Sequence, residues 1–318
     1  MKKYAACLCI ALLAFSGCRR SSKKLIGVVS KGQAHQFWQA IHAGAVSASR
    51  DYGVDILWNG PADETDISRQ IQIVESMVAR HVDGLAVAPA ESKALVQPVE
   101  AAVKLGIPVT IYDSGLDATD YMSFVATNNY EAGEMAARKL GTLLNGKGKV
   151  IAINHMPGSA SSMAREKAFA ATLEKEFPGV HIVGSQYGMS DRAKVLAAAE
   201  NLLTAHPDID GVFASAESSS VGAALALKAR KLAGKVRFVA FDSSPDLVQD
   251  LQDGTIDALV AQDPFKIGYK AVQLLAEKLR GGDPPKKVDL SAIVITRPDL
   301  SKPEIHAMLF PDFSKYLN

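Results

Sequence analysis

From Lys24 onward the chain repeats itself. The segments VESMVARHVDGLAVAPAES (74–92) and AENLLTAHPDIDGVFASAES (199–218) follow one plan: a helix-like stretch, Asp-Gly, a short apolar run, then Ala-Glu-Ser. Asp83-Gly84 thus recurs as Asp210-Gly211. A second pair, IYDSGLD (111–117) and AFDSSPD (240–246), recurs in the same order at nearly the same offset. It sets Asp113 and Asp242 at the ends of matching apolar runs. Asp-Gly turns and strand-end acids are common singly. Several of them in step imply two lobes of one topology.

Ten runs rich in Val and Ile read as strands: 25–30, 54–60, 84–89, 108–113, 123–128, 149–155, 180–188, 211–217, 236–242 and 258–263. They are short and apolar throughout, as in strands covered on both faces of a parallel sheet. Ala-rich helical segments alternate with them, such as 36–52, 67–81 and 191–206. The pattern is βαβ, which predicts an α/β fold of doubly wound parallel sheets. Ten strands are many for one sheet, so the repeat predicts two similar lobes.

The 318 residues, 48% hydrophobic and 22% charged with net charge +1, suit a soluble globular chain of two domains. No clustered basic face suggests a nucleic-acid partner. The seven histidines are scattered, and no metal site or cofactor is expected. All three cysteines, Cys7, Cys9 and Cys18, lie in the first 18 residues. There MKKY and a short apolar run have the form of a secretory signal, too short to span a membrane. Ser16-Gly17-Cys18 resembles a bacterial lipobox, although Phe15 stands where Leu is usual. Residues 1–18 are therefore expected to be a signal peptide. Cys18 is the expected site of lipidation, and 19–24 (RRSSKK) a basic tether.

In open α/β sheets, ligands sit beyond the carboxyl ends of the strands. Asp113 and Asp242 occupy such ends, and facing lobes would direct both acids into one cleft. Helix capping competes poorly at Asp242, because Ser244-Pro245 already supplies a cap and first-turn proline. It is harder to set aside at Asp113. After the first strand, SKGQAHQFWQA places His35 before Phe37 and Trp38. Core packing and a stacking platform for a sugar ring both fit these aromatics, with polar neighbours favouring the platform for Trp38. In NHMPGSASSMAREKAF (154–169), Arg165 lies one turn past Ser161 on the same helix face, where it fits either an ordinary surface arginine or a cleft residue giving bidentate bonds. Gln262 at a strand tip offers a donor and an acceptor, while Asp263-Pro264 suits a helix start. GTLLNGKG (141–148) approaches a phosphate loop, but it ends in Gly148 and enters a strand. Paired acids also serve glycosidases, yet the aromatic, Arg and Gln beside them form a recognition set. No catalytic residue is expected.

With these features assembled, the chain resembles the ribose/galactose-type periplasmic sugar-binding proteins of ABC importers. The likeness runs through GVVSKGQAHQFW, VDGLAVAPAES, GIPVTIYDS, TNNYEAGEMAARKL, GSASSMARE, LLTAHPDIDGVFAS, VAFDSSPD and VAQDPFKIGYKAV. It implies a type I periplasmic binding protein fold, two lobes closing over a monosaccharide about a three-segment hinge. Crossings would fall near 126–128, 262–264 and 286–292. The first lobe would comprise 25–126 and 264–287, the second 127–263 and 288–310, with 311–318 a tail. Carried over by position, the ligand set is His35, Phe37, Trp38, Asp113, Arg165, Asp242 and Gln262. Ser114 replaces the Arg that ribose binders carry after the first acid, and Ala216-Glu217 and Ala88-Pro89 replace Asn-bearing tips. Ribose specificity is therefore not transferred. A different sugar, a polyol, a cyclitol or a modified sugar remains open, with Ser114 and the echoed acids Glu91 and Glu217 as further cleft residues. The resemblance also implies ABC permease subunits as partners, a monomer, and an exported protein touching the membrane only through Cys18. A sensor of the same fold, presenting a sugar or autoinducer to a chemoreceptor or kinase, is the alternative.

Overall fold

The computed structural model describes residues 23–33 and 35–317. The signal segment, Cys18 and most of the basic tether lie outside the described residues. Among the described residues, no helix is long and apolar enough to cross a membrane.

Two six-stranded sheets form. The first contains β1 (Leu25–Val29), β2 (Asp55–Asn59), β3 (Gly84–Val87), β4 (Val109–Tyr112), β5 (Ser123–Thr127) and β11 (Lys287–Leu290), in the order β11-β5-β4-β3-β1-β2. The second contains β6 (Lys147–Asn154), β7 (Gly179–Tyr187), β8 (Gly211–Ala214), β9 (Arg237–Phe241), β10 (Ala258–Ala261) and β12 (Ile293–Ile295), in the order β12-β10-β9-β8-β6-β7. Pairing is parallel throughout, except that β12 runs antiparallel to β10. The first ten strands match the apolar runs. The two late strands were not expected: KVDL and IVI are short, and the first alternates charge with apolar residues.

Helices cover both faces of each sheet. In the first lobe α1 (Gln36–Asp51) and α9 (Pro264–Leu279) pack on one face, with α2 (Ile67–Ala79) and α3 (Val96–Lys104) on the other. In the second lobe α4 (Asn129–Leu143) and α5 (Ala160–Glu176) share one face. The opposite face carries α6 (Arg192–Ala205), α7 (Glu217–Ala229), α8 (Pro245–Asp253) and α10 (Pro303–Leu309). Glycine lets two of these pairs approach closely. A Cβ on Gly268 of α9 would lie 2.0 Å from the Ile41 carbonyl oxygen of α1, and one on Gly133 of α4 would lie 2.3 Å from that of Arg165 on α5. The expected caps form: Ser244 accepts from Leu247 N–H to start α8, and Asp263 accepts from Lys266 N–H to start α9.

The chain passes between sheets at Asn128, at Gln262–Asp263 and at Ser291–Ala292. The expected division between 287 and 288 falls inside β11, which pairs with β5 of the first sheet. Residues 313–316 of the expected tail pack against the first lobe.

Candidate ligand-binding site

The two repeated acids turn out of their strands in the same way. Asp113 has φ 61° and Asp242 φ 66°, in the left-handed region that Asp tolerates better than most side chains. Each backbone N–H donates to the adjacent strand, Asp113 to Val125 O at 2.8 Å and Asp242 to Val260 O at 2.9 Å. Strain of this kind persists only where surrounding bonds hold it. Both carboxylates line one cavity between the lobes.

From the first lobe, Lys31 reaches Asp113 Oδ2 at 2.8 Å. The same ammonium donates to Ser161 Oγ at 3.1 Å and Ser159 Oγ at 3.3 Å, both on the second lobe, so all three donors are used. Glu64 lies beside them. It accepts from Trp38 Nε1 at 2.9 Å and bonds His155 Nε2 of the second lobe at 3.1 Å, with His35 Nε2 3.8 Å away. Burial would push Glu64 up. The His155 hydrogen bond and charge, then Lys31 and His35, outweigh it and hold the carboxyl well below the usual range.

From the second lobe, Arg165 is fixed by Nε donating to Asn129 Oδ1 at 2.7 Å and Nη1 donating to Ser215 O at 3.0 Å. Its guanidinium carbon lies 4.1 Å from the Phe241 ring centre, and Nη1 is 4.0 Å from Asp242 Oδ2. Asp242 accepts from Gln262 Nε2 at 2.6 Å and Glu217 N–H at 3.0 Å. Burial pushes its carboxyl up, and the Arg165 charge only partly offsets this. Glu217 is also raised by burial; it accepts from Arg192 Nη2 at 3.1 Å and from Phe37 N–H across the cleft at 3.3 Å.

The structure brings His35, Phe37, Trp38, Asp113, Arg165, Asp242, Gln262 and Glu217 to this cavity. Trp38 is both wall and core: it lines the cavity, is 3% exposed, and packs edge-on to Phe37 with ring centres 5.2 Å apart. Two expected residues are elsewhere. Ser114 is buried in the seam between lobes, its Oγ accepting from Ser161 N–H at 3.1 Å, because one residue past the turn the side chain points away from the cavity. Glu91 accepts from Lys93 and Ala94 N–H and closes the turn before α3. Lys31, Glu64, His155, Ser161 and Ser162 join the lining unforeseen as ligand residues. The Lys31 signal was a lysine directly past the first strand; nothing in the PADETD loop marks Glu64.

A family model of the periplasmic binding protein domain matches residues 26–283. The chain is 32% identical to the ribose import binding protein of Bacillus subtilis over 219 residues, 69% of this chain and 70% of that protein. It is 30% identical to the D-ribose/D-allose-binding protein of Pseudomonas aeruginosa over 275 residues, 84% and 86% of the two chains. Among solved structures, a carbohydrate transporter solute-binding protein of Agrobacterium radiobacter in complex with D-arabinose superposes with a TM-score of 0.88 at 32% identity, over 91% of this chain and 100% of that one. An ABC transporter solute-binding protein of Agrobacterium vitis with bound D-fucose gives 0.87 at 32% identity, over 90% and 100%. With its paired lobes and strand-tip acids around one cleft, this chain belongs to the periplasmic binding protein domain family, as a sugar-binding solute-binding protein of the ABC transporter type.

Proposed function

We propose that this protein is an exported, monomeric receptor. It holds one pentose or hexose, or a cyclic polyol of that size, between Asp113 and Asp242 and hands it unchanged to ABC import permease subunits. Lipidation at Cys18 would keep it at the membrane. The observation that carries the ligand assignment is the pair of buried carboxylates, one from each lobe, facing a single cavity. Carboxylates accept from hydroxyl groups, and a charged hydrogen bond contributes about 1.5–3 kcal/mol. A ligand bonded to both lobes favours the closed form through contacts it lacks in the open one. The relatives named for ribose, allose, arabinose and fucose support this size class.

Binding without turnover is supported by how the acids are engaged. Asp113 is held by Lys31. Asp242 is held by Gln262 and a backbone N–H. Such partners stabilise fixed acceptors for hydroxyl groups.

Thermal denaturation of the purified protein tests the assignment, with D-ribose, D-arabinose, D-allose, D-fucose, inositol and sorbitol each added in excess. A ligand at about 100 times its dissociation constant adds roughly 2.7 kcal/mol. A clear upward shift with one compound, lost in Asp242→Ala, is expected. No shift with any compound, in protein first unfolded and refolded to remove carried-over sugar, defeats the assignment.

A further inference from the structure

The last part of the described chain leaves the second lobe and comes to rest on the first. Helix α10 is anchored in the second lobe, where Leu309 is buried in the core and Ile305 and Met308 pack against it. Past it, the 3-10 turn Phe313–Lys315 lies beside α1. The Lys315 carbonyl accepts from Arg50 Nη1 at 2.7 Å. The Tyr316 ring lies 5.3 Å from that of Phe265, at the start of α9, and 5.7 Å from the Arg50 guanidinium carbon. Arg50 and Phe265 stand on helices of the first lobe. Residues 311–312 therefore pass from one lobe to the other.

We infer that residues 311–317 form a fourth, non-covalent crossing between the lobes, a strap that engages α1 and α9 in the closed form and resists opening. Three further features carry this. First, the anchors sit on different lobes, so separating α1 from α10 must either stretch the strap or pull Tyr316 and Lys315 off α1. Second, the strap is pre-shaped. Pro311 fixes its backbone, and Asp312 accepts from Ser314 N–H at 3.1 Å and Oγ at 2.6 Å, which lowers the ordering cost of each engagement. Third, it stands behind the ligand cavity. Met308, Pro311 and Phe313 line one small pocket together with Phe37, Asp242 and Gln262, and those last three also line the ligand cavity. Strap, hinge and ligand wall thus adjoin one another.

Closure over a sugar rests on the proposed function; the strap's bias on the lobes does not, and the test separates them. Small-angle scattering without sugar compares the full chain with a chain ending at Phe310, which keeps α10 and its core contacts. The truncated chain is expected to show a larger radius of gyration than loss of its last residues explains. Arg50→Ala and Tyr316→Ala should move the same way by smaller steps. Where a sugar has been found to bind, its release should quicken about ten-fold, within the range of typical coupling between sites. Scattering from the truncated chain that matches the full chain after allowing for the missing mass overturns the proposal, whether or not any sugar binds. Should truncation unfold the protein, Tyr316→Ala decides: an unchanged radius of gyration overturns the proposal, and an increase supports it.

Discussion

The two lobes present the same acid on the same backbone and then neutralise it differently. Their sheets have matching strand order, and Asp113 and Asp242 share a left-handed backbone and an N–H bond to the next strand. The lobes can be aligned through hydrogen bonds alone. Val29 O accepts from Ala88 N–H, and Ile153 O from Ser215 N–H, so Lys31 and His155 hold equivalent places two residues on. Likewise Gly268 sits against the Ile41 carbonyl and Gly133 against that of Arg165, which makes Ile41 and Arg165 equivalent. In the first lobe the cation comes from the strand tip, and Lys31 reaches its acid at 2.8 Å. In the second lobe the strand-tip residue is His155, which crosses to Glu64 instead. There the cation comes from the helix and stays 4.0 Å from Asp242. Topology sets where the acid stands. Its partner is chosen by single residues that topology leaves free.

The largest effects should come from removing the two cations. Arg165→Met strands a buried Asp242 and leaves Asn129 and the Ser215 carbonyl without their donor. A loss of about 3–5 kcal/mol in denaturant unfolding is expected, as for other broken buried pairs. Lys31→Met should cost less, about 1–3 kcal/mol, because its other partners are two serine hydroxyls that can turn to new partners, not an amide oxygen and a backbone carbonyl. Equal losses would break the comparison, since they would mean the second lobe's acid is no more deeply committed than the first's.

Replacing the acids sharpens the contrast. Asp113→Asn and Asp242→Asn should each weaken sugar binding by about 10- to 150-fold, the equivalent of one charged hydrogen bond. Their effects on stability without sugar should differ. Asp113→Asn leaves Lys31 buried without its counter-charge and should destabilise the fold. Asp242, whose carboxyl burial already pushes up, should lose less on change to neutral Asn, because Arg165 stays bonded to Asn129 and the Ser215 carbonyl. Calorimetric titration for the first effect and chemical denaturation for the second keep the two apart.

The pattern of strands made the fold legible. Each of the first ten strands is an apolar run bounded by polar punctuation, and the echoes divide the runs between lobes. Strands β11 and β12 were not legible because KVDL alternates charge with apolar residues and IVI is only three residues long. In the site, residues at strand tips or one helical turn beyond could be read, including both acids, Arg165 and Gln262. Glu64 could not, because its burial depends on His155 of the opposite lobe, 91 residues away. Glu91 and Glu217 show the limit of an echo. Helix α7 starts at Glu217 and holds it in the cleft, whereas a turn separates Glu91 from α3 and uses it as a local acceptor.

The buried acids around the cleft should also respond to acid in opposite senses. Glu64 has a folded pKa below its ordinary 4.5. Its stabilisation is therefore complete above that pH and is lost as pH falls below it. Asp242, Glu217 and Glu166 of the second lobe are raised by burial. The folded state takes up their protons first, so stability gains from them as pH falls towards their ordinary values. In unfolding curves between about pH 7 and pH 3, Glu64→Gln should flatten the loss at the acid end, by roughly 1–3 kcal/mol for one buried charged hydrogen bond. Asp242→Asn should remove part of the gain at milder pH. A Glu64→Gln profile parallel to the unmodified protein's would show that His155 does not hold this carboxyl.

The smallest effect tests the repeat itself. At the strand ends remote from the cleft, the Asp of the Asp-Gly pair makes two bonds to the strand beside it. Asp83 N–H donates to Leu25 O at 2.8 Å and Asp83 Oδ2 accepts from Leu25 N–H at 2.8 Å. Asp210 N–H donates to Lys149 O at 2.8 Å and Asp210 Oδ2 accepts from Lys149 N–H at 2.8 Å. Leu25 and Lys149 are equivalent in the alignment that pairs Lys31 with His155. The echoed Asp-Gly is thus a structural clasp, unlike the echoed acids of the cleft. Asp83→Ala and Asp210→Ala should each cost about 1 kcal/mol and leave sugar affinity unchanged. The exposed ion pair of Asp83 with Lys24 adds little to this. Matching losses in denaturant unfolding mean that the lobes share energetics as well as shape where no ligand is involved. Losses differing by more than about 1 kcal/mol, a large gap for sites with the same bonds, would mean the repeat preserved the geometry of the clasp but not its contribution.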